Sequence, residues 1–155
     1  MYNREKAIEY AKKYAFNYNP NFYDFSLIGG DCTNFVSQCL FFGGIEMDYS
    51  FDGWFYSSAN SRSPSWTSVE DLWNYGQKRK NLKIEEIEIG QISVGDIVQF
   101  YNKNQNRYYH CVIVTKIIEP IKLQNVFVTS HDNNVINKSL SLYNETNFRF
   151  GKIKN

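Results

Sequence analysis

The sequence predicts an α+β fold in which N-terminal helices pack on a C-terminal antiparallel sheet. Three observations point there. Apolar residues recur at helical spacing in the first half of the chain. Beyond residue 80 the pattern changes to short alternating or continuous apolar runs, separated by turns containing Asn, Lys and Pro. The length, 155 residues, suits one hydrophobic core, so 1–155 is expected to be a single domain.

The elements follow in order. Ala7, Ala11, Tyr14, Ala15 and Tyr18 lie on one helical face behind a potential N-cap, Asn3, which predicts a helix over 4–18 that "NYNPN" terminates. In "CTNFVSQCLFF" the residues Cys32, Phe35, Val36, Cys39 and Leu40 fall at i, i+3, i+4, i+7 and i+8. This predicts a helix over 32–42, with Gly43 and Gly44 as its stop. Residues 45–66 mix large aromatics with Ser, Asn, Asp and Gly without a steady period and are expected to form a long ordered loop, a common setting for a binding surface. Thr67 and Glu70 match a capping box opening a helix over 68–79.

"KIEEIEI" (83–89) alternates like a short strand, and runs 95–102, 108–118, 125–131 and 147–154 read as further strands. In run 108–118, His110, Val112 and Val114 share one face while Cys111, Ile113 and Ile117 share the other. Both faces are largely apolar, so this strand is expected near the sheet centre.

Composition narrows the function. With 17 basic and 16 acidic side chains, a net charge of +1 and no long like-sign block, no field favours nucleic acid or an anionic membrane. No apolar run approaches the roughly 18 residues of a membrane span, so no membrane insertion is expected. "MYNREKAIEY" is not a signal peptide, which leaves a cytoplasmic protein, or a secreted or cell-surface one whose export signal has been removed. The three cysteines, Cys32, Cys39 and Cys111, form no C-x-x-C pair and match neither a disulfide framework nor a zinc site.

Cys32 stands out, because "GGDC" delivers it to a helix start. There the helix dipole and free first-turn N–H groups stabilise a thiolate and can face an oxyanion. Asp31 is a natural cap whose carboxylate would oppose the thiolate. His110, near the start of the central strand, is the candidate base. The group that orients it depends on the loop between the strands. An even-numbered loop sets His131 or Asn133 beside His110, and an odd-numbered one sets Asp132 there. His131 is favoured, with Asp132 as the alternative. Tyr23 is a candidate second oxyanion donor, and Trp54, Tyr56 and Trp66 are candidate walls of a substrate cleft, although aromatics of this kind are more often partly core. Cys39 and Cys111 are read as core.

"GGDCTNFVSQCL", "WFYSS", "SPSW", "VGDIVQF", "HCVIVTKI" and "TSHDN" together resemble, in that order and over nearly the whole chain, the putative amidase domain family of bacteria, related to the NlpC/P60 and CHAP papain-like cysteine peptidases and amidases. The resemblance implies a papain-like fold with Cys32 as nucleophile and His110 on the sheet. It implies a polar third residue on the next strand, often histidine in NlpC/P60 relatives, and peptide or peptidoglycan amides as substrates. The expected activity is a cysteine-dependent amide hydrolase that needs no metal or organic cofactor. The alternatives are a non-catalytic glycan- or peptide-binding module on the same scaffold, and an acyltransferase using the same Cys–His pair.

Overall fold

A computed structural model describes residues 1–154. It is α+β, with helices on one face of an antiparallel sheet.

Helix α1 spans Arg4–Tyr14, and Asn3 caps it by accepting the Lys6 N–H at 3.0 Å. It stops four residues short of the expected end. The Tyr14 carbonyl accepts a bond from His131 Nε2 at 2.7 Å, and Pro20 disfavours helix at the residue before it. Helix α2, Cys32–Phe42, has the expected bounds, but every residue from Cys32 to Leu40 is buried, not only one stripe.

The expected loop 45–66 carries structure of its own. It contains a small hairpin of β1 (Tyr56–Ser58) and β2 (Ser61–Arg62), followed by α3 (Pro64–Thr67). Helix α4 spans Val69–Gln77, and its cap is Ser68, whose hydroxyl accepts the Asp71 N–H. Thr67 ends the preceding helix instead, where its hydroxyl accepts from Arg62.

The main sheet contains β3 (Lys83–Ile87), β4 (Ile97–Asn102), β5 (Arg107–Ile117), β6 (Val126–Ser130), β7 (Val135–Ser139) and β8 (Phe148–Lys154), in the order β3-β8-β4-β5-β6-β7, antiparallel throughout. Strand β5 is interior, as expected. Strand β7 was not anticipated, because "VINKS" has little alternation and places Asn137 at φ +52°.

The sheet buries both faces. On one, Ile84, Ile97, Cys111 and Ile153 pack with Val36 and Leu40 of α2 and with Trp54, Trp66 and Trp73. On the other, Val98, Phe100, Val112, Val114, Val126 and Val128 lie under Ile92 and Leu140. Trp54 and Trp66 are fully buried, their ring centroids 4.8 Å apart, so they are core and not walls of an open cleft. Tyr56 is half-buried against Trp66, with its hydroxyl accepting the Tyr23 N–H at 2.9 Å.

One polar node closes the molecule. The fully buried Asp96 carboxylate accepts from Arg4 of α1 at 2.6 Å, from Lys152 at 3.1 Å, and from the Ser93 and Ile153 N–H groups. Arg4 also bonds the Ile153 carbonyl. Charge-assisted bonds on both carboxylate oxygens are what make a buried acid tolerable.

Candidate active site

Helix α2 carries an unusual number of buried polar side chains, and each has a partner that fixes the approach to Cys32. Asn34 donates to the Tyr23 carbonyl and to Asp31 Oδ1, both at 2.9 Å, and accepts from the Trp66 indole. Ser37 donates to the Trp66 carbonyl and accepts from the Trp54 indole. Gln38 accepts from Tyr10 at 2.6 Å. A buried polar group left unpaired costs about 1–3 kcal/mol, so these bonds lock the helix in one rotation and depth. Loop 19–31 is pinned by the same network, since Asp31 Oδ1 also accepts the Phe25 N–H.

Cys32 opens α2, but Asp31 does not cap it, because its carboxylate is engaged with Phe25, Asn34 and His131. Asp132 takes that place. Its carboxylate accepts from the Asp31 N–H at 2.9 and 3.0 Å and from the Cys32 N–H at 3.2 Å, where a negative group also suits the helix dipole. The approach is so close that a Cβ on Gly30, at φ +100°, would lie 2.7 Å from Asp132 Oδ2. Asp132 and Asn133 themselves sit at φ +62° and +60°, in the tight turn that ends β6.

The register explains why Asp132, not His131, comes to His110. At the hairpin end Ile117 pairs with Val126 and Lys116 with Phe127, a register that carried on would set His110 opposite Asn133. A bulge at Thr115 intervenes, after which Val114 pairs with Val128 and Ile113 with Thr129. Continued, this register sets His110 opposite Asp132. One extra residue changes the parity. Cys32 Sγ, a His110 ring nitrogen and an Asp132 carboxylate oxygen lie within 4.8 Å of one another.

His131 goes elsewhere. Its ring is sandwiched between Tyr18 and Phe35, each 4.1 Å away by centroid, with Nδ1 2.5 Å from Asp31 Oδ2 and Nε2 2.7 Å from the Tyr14 carbonyl. That carbonyl only accepts, so Nε2 is the donor there, and Nδ1 is held by the Asp31 carboxylate. With both nitrogens engaged, His131 fastens α1 and the loop before α2 to the sheet and does not orient His110. Tyr23 is partly exposed with its ring on Phe25, and it serves the site through its carbonyl bond to Asn34.

The electrostatics differ from a ready thiolate. Burial, and next the Asp132 charge, push the Cys32 thiol up to about 12, against the pull of the Cys111 N–H and Thr33. Burial brings His110 down to about 4, with Lys138 adding to the depression and Asp132 opposing it. The resting pair is therefore a protonated thiol and a neutral imidazole. Of the helix-start N–H groups expected to favour a thiolate, that of Cys32 is occupied by a carboxylate, while that of Thr33 still acts on the sulfur.

His110 and Asp132 line a cavity of about 330 Å³ whose other walls include Asn133, Lys138, Tyr143 and Asn144. A second opening, with Tyr18, Ser26 and Gly30, meets the first at Asp132 and Asn133. Lys138 was missed by sequence reasoning because β7 was missed. Asn34 was not singled out, because with Thr33, Ser37 and Gln38 it lies on what reads in sequence as the polar face of the helix.

The sequence also matches a known family. The profile of the "Putative amidase domain" family matches residues 1–153, and the chain belongs to that family. The family's description names an amidase activity at a coarse level. Two proteins of Bacillus subtilis (strain 168) are similar to it: Uncharacterized protein YhbB, 30% identical over 74% of this chain and 37% of its own length, and Uncharacterized protein YjcM, 28% identical over 88% of this chain and 32% of its own. The chain thus spans about a third of the length of each. No solved structure matches it.

Proposed function

We propose that this is a cysteine-dependent amide hydrolase of papain-like fold, allied to the NlpC/P60 and CHAP enzymes, with peptide amides of the peptidoglycan type as substrates. The observation that carries the reading is the meeting of Cys32 Sγ, His110 and Asp132 within 4.8 Å at the start of a buried helix and beside a cavity.

In this mechanism neutral His110 takes the thiol proton as Sγ attacks the amide carbonyl, so proton transfer and C–S bond formation proceed together and no free thiolate is stored. Asp132 leaves the Cys32 N–H and turns to His110, which it orients and whose positive charge it offsets. The freed N–H receives the oxyanion. Collapse expels the amine, which takes the proton from His110. Water then attacks the thioester, with His110 removing its proton, and the carboxylic acid and free thiol are released.

The test is incubation with purified peptidoglycan fragments and mass spectrometry of the products. Wild type is expected to release a new amine and a new carboxylate, and Cys32→Ala neither. Cleavage that survives in Cys32→Ala excludes the mechanism. Iodoacetamide should modify Cys32 in preference to the fully buried Cys39 and Cys111. A second reading, a binding module without chemistry, draws support from Asp132 occupying the Cys32 N–H. Wild type that retains fragments without cleaving them would favour it.

A further inference from the structure

The groups of the proposed triad are also metal ligands. Cys32 Sγ, a His110 nitrogen and an Asp132 oxygen come from a helix, a strand and a turn and lie within 4.8 Å of one another; no other such group of three occurs among the described residues. Tetrahedral zinc places sulfur and nitrogen or oxygen donors roughly 3.5 Å apart, so closing the set around an ion needs shifts of about 1 Å. The outer contacts are already present, since backbone N–H groups of Asp31 and Cys32 hold the Asp132 carboxylate. The His110 ring offers a nitrogen to the same point as the Cys32 sulfur and the Asp132 oxygen. A thiolate formed beside the Asp132 carboxylate would be repelled by it, and a dication between them removes that repulsion. The cavity of about 330 Å³ that reaches His110 and Asp132 supplies a route for a hydrated ion.

We propose that Cys32, His110 and Asp132 form a binding site for one divalent ion of zinc type, and that filling it holds the nucleophilic sulfur inactive. The site rests on the triad reading above. On binding, the Cys32 S–H bond breaks and its proton passes to solvent; the sulfur donates an electron pair to the metal, which sheds water for each protein donor it gains. No electron is transferred. The ion draws charge from the sulfur, occupies the His110 lone pair that would act as base and fills the approach to the thiol, so hydrolysis stops until a chelator removes it. Three protein donors leave a fourth position open, which separates this site from a closed structural zinc centre.

Cobalt(II), added alone to chelator-treated protein, is the probe, because a thiolate ligand gives it an intense near-ultraviolet charge-transfer band that is read without any substrate. The band is expected in wild type and in Cys39→Ala, and absent in Cys32→Ala. His110→Ala and Asp132→Asn should each weaken cobalt binding at least about tenfold. Zinc should displace cobalt, and calorimetry in buffers of different ionisation enthalpy should show about one proton released per zinc bound. Near-ultraviolet circular dichroism checks that each variant is folded, and the near-isosteric Asp132→Asn keeps the test open if Ala variants do not fold. No band in wild type, or a band that persists in Cys32→Ala, overturns the proposal. Peptide cleavage in chelator without a cobalt band removes the metal site and leaves the hydrolase. A cobalt band without cleavage under any condition leaves the metal site and removes the hydrolase.

Discussion

At the scale of single residues, the site is governed by where Asp132 puts its charge. Seated on the Cys32 N–H, it caps α2 and adds its charge to the burial that raises the thiol above its ordinary range. Asp132→Asn should therefore lower the Cys32 pKa and speed its alkylation at a fixed pH while slowing amide hydrolysis, because an amide orients His110 without offsetting its charge. Equal alkylation rates in wild type and variant would contradict that placement. Lys138 acts on His110 with the opposite sign. Lys138→Met should move His110 up from about 4, and with it the acid limb of the kcat/KM profile. His110 also links pH to stability. The unfolded side chain takes up a proton near 6.5 and the folded one only near 4, so stability is lost as pH falls across that window. Urea titrations between pH 7 and pH 4 should show wild type losing stability relative to His110→Gln, which has no proton to take up in this range.

At the scale of elements, the turn after β6 decides the site. Gly30 tolerates no side chain, because its φ of +100° is strained for an L residue and a Cβ would run into Asp132. Gly30→Ala should lower stability by about 1–3 kcal/mol and depress kcat/KM together, as seen by thermal unfolding and initial rates. The helices and most strands were legible from spacing because their apolar periods are regular. Cys32 and His110 were legible as a pair for the same reason: one opens a helical period and the other lies near the start of a strand. The choice between His131 and Asp132 was not. Parity along β6 depends on the bulge at Thr115, whose hydroxyl is tied to Thr129 and Asn137 through contacts that local sequence does not reveal. The hairpin and short helix within 45–66 escaped notice because they are held by neighbours such as Trp66 and Ser63, not by a period of their own.

At the scale of the whole molecule, Asp96 joins α1 to β8 across the sheet. Asp96→Ala leaves the Arg4 and Lys152 charges facing unpaired backbone groups and is expected to cost about 3–5 kcal/mol in chemical denaturation, with alkylation of Cys32 in the still-folded fraction unchanged. Trp66→Ala should cost a similar 3–5 kcal/mol and also loosen the site, since the lost indole is the donor to Asn34. The burial of α2 on all sides has a last consequence, for how such a protein diversifies. The proposed nucleophile, Cys32, stands on a helix buried from Cys32 to Leu40, while Asn133, Lys138 and Asn144 at the cavity wall carry little of the core. New selectivity can arise by altering the rim while the reactive centre is inherited intact, and randomised libraries confined to those three positions should keep their expression yield while their substrate choice diverges.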